Sequence, residues 1–215
     1  MAYPTVSAPY GLKPVNLIGG QVYAGSTRLL KIASGYAANI FYGDVVKLVS
    51  SGTVEKDTGT TTGTPVGVFM GCTYTDPSSK QPRWSQYWPT GTVASDAQAY
   101  VVDDPDVLFK VAAVSSGTTV AFYAQTVIGN NVSLVQNSGS TTTGDSAVAI
   151  DGSSAATTVS LPIRIIAGVP DTANASGEFC EFICKWNAPY ITLSEGTPNT
   201  VAWNGGHQYL NPTGV

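Results

Sequence analysis

The chain has 215 residues, of which 43% are hydrophobic and only 11% charged, with a formal net charge of −4. A typical soluble domain carries roughly 25% charged residues, so much of this surface must consist of Ser, Thr, Asn, Gly and backbone, with little self-repulsion to keep copies apart. Lys and Arg do not cluster, which argues against direct nucleic-acid binding. No apolar run approaches the ~20 residues that span a bilayer, so neither nucleic acid nor a membrane is an expected partner.

Read in chain order, the sequence divides into an extended N-terminal arm with a first strand (1–18), a main β domain (19–187) and an extended, irregular C-terminal tail (188–215). The first ten residues lack the basic start and apolar run of a signal peptide, so synthesis in a cytoplasm is expected. Short runs of β-branched and aromatic residues, closed by Gly, Pro, Asn, Asp or Ser, predict strands over 13–18, 27–33, 44–50, 66–74, 98–102, 107–114, 132–136, 147–151, 157–166 and 179–186. The fold class is all-β, a compact barrel or sandwich of many short strands with little helix.

Within 157–166, alternation places Val159, Leu161, Ile163 and Ile165 on one face and Thr158, Ser160 and Arg164 on the other, with Pro162 marking an edge or a bulge. The best short helix candidate is 120–127, confined between Gly117 and Gly129. Residues 56–64 and 137–144, rich in Thr, Ser and Gly, read as exposed loops. Residues 78–92 crowd Trp84, Tyr87 and Trp88 between Pro82 and Pro89, as a core-covering loop or as a contact surface.

Little in the sequence is suited to catalysis. A nucleophile relay needs an imidazole, and the single one, His207, reads as an exposed tail residue. Asp103, Asp104 and Asp106 form the densest carboxylate group, but Pro105 and the absence of a calcium-loop spacing favour a turn between two strands. Cys72, Cys180 and Cys184 are too few and too odd in number for a disulfide framework. In a regular strand Cys180 and Cys184 would share a face ~13 Å apart, so buried free thiols are expected rather than a zinc site. The glycines at 19, 20 and 25 lack the partners of a phosphate loop. No catalytic residue, metal ligand or cofactor is therefore assigned. For Trp84, Tyr87 and Trp88, packing in a core or interface is the stronger reading, with sugar binding and base stacking as the sharper alternatives.

Several segments carry a resemblance: APYGLKPV (8–15), YAGSTR (23–28), IFYGDVVKL (40–48), PVGVFMG (65–71), VDDPDVLF (102–109), SGSTTTG (138–144), SAATT (154–158) and LPIRIIAGV (161–169). Together, in this order, they resemble the head decoration, or capsid cement, proteins of tailed bacteriophages; the segment after Asn187 falls outside the resemblance. It implies a non-enzymatic structural protein on the capsid exterior of the virion. The implied partners are the major capsid protein and copies of the same chain, as a homotrimer, after synthesis in a bacterial host cytoplasm. Other virion positions (head-tail connector, tail or fibre base) and a host-glycan-binding module are the alternatives. The residues expected to contact partners are Tyr3, Pro4, Tyr10 and Leu12 of the arm, with covering of its own barrel as the arm's equally weighted alternative, and Trp84, Tyr87 and Trp88. The prolines at 4, 9 and 14 keep that arm extended and limit the entropy lost on docking.

Overall fold

The computed structural model describes residues 5–187 and 206–210. Among these residues the chain is nearly all β, with thirteen strands and three single turns of 3₁₀ helix. The strands form two sheets.

The first sheet holds β1 (Lys13–Leu17), β8 (Val107–Ser116), β9 (Thr119–Val120), β10 (Asn131–Val135), β11 (Ala149–Ala156), β12 (Ile163–Gly168) and β13 (Glu181–Trp186). Pairing runs β8–β11–β10–β12–β13 and returns to β8, closing a five-stranded barrel. Closure leaves no unpaired sheet edge along that circuit. β8 can serve β1, β11 and β13 because its ten residues reach past each shorter partner. Its run Val107 to Val114 is buried at every position but Lys110, as expected for a strand covered on both faces.

The second sheet holds β2 (Arg28–Lys31), β3 (Val45–Leu48), β4 (Val54–Lys56), β5 (Gly67–Thr75), β6 (Pro82–Ser85) and β7 (Gln98–Val102), in the order β2–β7–β5–β3–β4 with β6 added to β5. A parallel bridge from Ile32 to Val54 draws its two ends together, so the sheet curls. Val46, Phe69 and Val101 line the inside of the curl with Ile32, Tyr74 and Trp88. Their chain neighbours Val45, Val68 and Val102 point the other way, into the barrel core with Phe109, Phe182 and Trp186. The period-2 alternation of three strands thus supplies two cores from one sheet. Gly67 permits the closeness, since a Cβ there would sit 2.1 Å from the carbonyl oxygen of Val102.

A buried ionic cluster joins the units. Asp44, fully buried, accepts from the Phe41 N–H at 2.9 Å and the Ser146 hydroxyl at 2.7 Å. It also pairs with Lys56 at 2.9 Å. Ser146 lies just before β11, so the carboxylate links the second sheet to the barrel.

The ten expected strands are all present, with shifted ends. The largest shift is in 157–166, where β12 begins only at Ile163 and Val159 is 43% exposed; pairing starts after Pro162, which has no N–H to donate. β4, β6 and β9 have two to four residues each, too few to show a period. In 120–127 only Gln125–Val127 forms a 3₁₀ turn. The two Thr-rich loops lie against the body: Leu134 donates its N–H to the Thr60 carbonyl, and Tyr42 donates to that of Gly144.

Replacing Asp44 by Ala removes the acceptor shared by Lys56, Ser146 and Phe41. A loss of about 3 kcal/mol is expected, read from urea unfolding as a lower midpoint with an unchanged slope. A loss below ~1 kcal/mol would show that the cluster does not hold the two units together.

Candidate binding surface

The arm residues turn inward. Leu12 is fully buried and belongs to the barrel core, beside Val45, Val68 and Val102. Tyr10 donates its hydroxyl to Glu181, a carboxylate 2% exposed that also pairs with Lys110 at 3.2 Å. Backbone bonds from Gly11 to Val148 and from Leu12 to Gly43 pin the same stretch. Tyr10 and Leu12, expected to contact a partner, instead fasten the arm to its own body, because an apolar side chain and a phenol gain more from a preformed core than from water. Tyr3 and Pro4 lie outside the described residues.

The aromatic segment is split. A turn at 76–81, in which the Asp76 carboxylate accepts the N–H groups of Ser78 and Ser79, reverses the chain into β6. Those bonds hold the Asp76 carboxyl below the usual carboxylate range. β6 then pairs with β5, placing Trp84 opposite Thr73, and Trp84 remains 70% exposed. At the end of β6 the Ser85 hydroxyl donates to the Tyr87 carbonyl at 2.5 Å, across a bend at residues 86–87. Tyr87 stacks on Phe41 at 5.6 Å, half-buried, and Trp88 is wholly buried edge-on to Tyr74 at 5.4 Å. Trp88 is therefore a core residue rather than a surface contact, and of the three aromatics only Trp84 is largely open to solvent.

Trp84 belongs to an uncovered part of the second sheet. The face bearing Val68 and Val102 is covered by the barrel at one end only. A bulge between Phe69 and Cys72, with Gly71 at a φ of +123°, keeps both flanking side chains in the second core and turns Met70 to the barrel side, where it is only half-buried at the edge of the barrel core. Tyr100 lies on the same outer side as Val102, opposite Leu29 of β2. Tyr42, Met70, Trp84, Ser85, Gln86 and Tyr100 line an open cleft of about 420 Å³. At its rim Asp145 accepts from the Gln86 amide at 2.9 Å and pairs with Lys13 at 3.5 Å. Lys13 also sits 3.9 Å above the Tyr42 ring. Sequence reasoning could mark Trp84, but not Tyr42, Met70 or Tyr100, which come from three other segments.

The remaining polar groups serve the fold. Asp103, Asp104 and Asp106 form the turn from β7 to β8, as expected: Asp104 accepts the Asp106 N–H at 2.8 Å, and Asp103 pairs with Arg28. All three cysteines are free and buried, and burial pushes the Cys72 thiol up to about 12. His207 is not an exposed tail residue. It is fully buried, 6.4 Å from the Trp186 ring and 5.4 Å from that of Tyr209. Gln208 anchors it by bonding both backbone groups of Leu48, at 2.6 and 2.9 Å, as a neighbouring strand would. Glycines and a single histidine carry no period that could reveal this return to β3.

The chain matches no protein-family model, no curated protein and no solved structure.

Burial lowers the His207 pKa to about 4, outweighing the opposing pull of Asp103, the Val66 backbone and Asp104. The ordinary value of about 6.5 applies in the unfolded chain, which therefore takes up the proton first. The neutral imidazole's contribution is full above pH ~6.5 and is lost as the pH falls toward 4, by about 3 kcal/mol in all. Thermal unfolding between pH 7 and 4.5 should show a steeper loss for the wild type than for His207→Phe. Parallel curves would remove His207 as the acid-sensitive group.

Proposed function

We propose that this chain is a structural virion protein, a decoration or cement protein that binds the outer face of an icosahedral phage head and holds it against the pressure of packaged DNA. Its partners are the major capsid protein and further copies of itself, arranged as trimers. The reading rests first on the ordered resemblance of eight segments between residues 8 and 169.

The structural observation that carries it is the use of the few charged groups. Asp44 and Glu181 are buried in ion pairs, Asp57 and Asp104 accept backbone N–H groups within turns, and Asp103 and Asp145 pair with Arg28 and Lys13. These carboxylates are tied to their own scaffold. What faces solvent is largely neutral, with large apolar side chains such as Val22 at 82%, Val93 at 67% and Trp84 at 70% exposure. A surface of this kind suits a permanent assembly more than a freely diffusing protein.

A cement protein needs area, shape and rigidity. Apolar burial contributes ~25 cal/mol per Å² before the association cost is subtracted, and occupation of many equivalent sites multiplies a modest contact into a large effect. A closed barrel fused to a curled sheet can transmit force between two attachment points without opening a sheet edge.

Particles assembled without this protein should form heads of normal size but release DNA at a lower temperature, and addition of purified protein should restore the wild-type release curve. Unchanged release would count against cementing. Electron microscopy that placed the protein only at the tail would transfer it to another virion position.

A further inference from the structure

We propose that the cleft on the open end of the second sheet is a binding site for a neutral carbohydrate, with Trp84 as the platform on which a sugar ring stacks. This goes beyond the assembly role and does not depend on it.

The cleft's chemistry selects the ligand class. Its volume of about 420 Å³ lies in the range of small-ligand pockets, and it opens to solvent on the face of the sheet. Among the described residues no charged side chain lines it, and the charges at its rim cancel, because Asp145 is held by Lys13 and by the Gln86 amide. A phosphate, carboxylate or sulfate would find no free cation there. The walls are apolar rings and a thioether: Trp84, Tyr42, Tyr100 and Met70. Against them stand neutral polar groups with no hydrogen-bond partner among the described residues, namely the Tyr42 and Tyr100 hydroxyls, the Gln86 side-chain carbonyl and the Trp84 ring N–H. Gln86 is already oriented, since its amide nitrogen is fixed on Asp145. An uncharged ligand with an apolar face and a hydroxyl edge matches this set, and a pyranose ring has both.

Two other occupants fit less well. A peptide added as a strand needs an open row of backbone donors and acceptors, whereas here β5 is interrupted by its bulge at Met70 and Gly71, is paired with both β6 and β7 at Cys72, and Tyr100 of β7 is paired with Leu29 of β2. A stacked nucleotide would bring a phosphate that nothing in the cleft neutralises.

Trp84 also supplies the readout. At 70% exposure it is the open tryptophan among the described residues, against 0% for Trp88 and 2% for Trp186. The full-length protein is applied to an array of neutral malto-, cello- and chito-oligosaccharides together with sulfated and sialylated glycans. Any retained neutral sugar is then titrated by tryptophan fluorescence and saturation-transfer NMR. Retention of neutral sugars is expected, weakened about ten-fold or more by Trp84→Ala and unchanged by Val93→Ala, a substitution at another exposed apolar side chain. Tyr100→Phe keeps the ring and removes only the hydroxyl, and should weaken binding with no change in unfolding midpoint, which separates lost contact from lost folding. Retention of no glycan, of acidic glycans alone, or of neutral sugars equally well by Trp84→Ala would overturn the proposal. So would a Trp84→Ala protein that binds no less sugar but no longer attaches to heads, which would assign this face to assembly.

Discussion

The architecture depends on one sheet serving two cores. In β3, β5 and β7 adjacent residues point to opposite sides, and both sides are apolar at Val45 and Val46, Val68 and Phe69, and Val101 and Val102. Neither the barrel nor the curl can be separated from those strands without exposing one member of each pair. The two units are therefore coupled through shared backbone, and Leu12, Gly67 and the Asp44 cluster all lie at that shared boundary.

The same sheet creates the exposed cleft. Its barrel-side face is longer than the barrel that covers it, and the bulge at Gly71 ends the regular alternation there. At that point Met70 packs only partly against the barrel core, and Tyr100 is likewise half-buried. The hairpin of β5 and β6 raises Trp84 beside this uncovered stretch, so the sheet that stabilises the molecule also presents its most distinctive surface.

The charged groups follow from the low charge content. With few carboxylates available, several are used where backbone donors would otherwise be unsatisfied: Asp57 accepts from Gly59 and Thr64, Asp76 from Ser78 and Ser79, and Asp44 from Phe41. Burial raises the Asp57 carboxyl above its ordinary value despite those bonds. A scaffold that uses its charges internally meets its neighbours through shape and apolar area, which links the proposed attachment to the capsid with the composition.

The sequence by itself determined the all-β class, ten of the thirteen strands, the turn at Asp103 to Asp106 and the buried thiols, because alternation, punctuation and side-chain polarity are local properties. It could not place residues whose surroundings come from distant segments. Trp84 and Trp88 are four residues apart with similar neighbours, yet across the bend at residues 86–87 one faces water and the other enters a core. His207 reads as a tail residue until Gln208 ties it to β3, and Leu12 reads as part of a free arm until the barrel core closes around it. Only the tertiary structure decided those positions and assembled the cleft from Tyr42, Met70, Trp84 and Tyr100, because long-range pairing, rather than local pattern, sets which face of each strand remains uncovered.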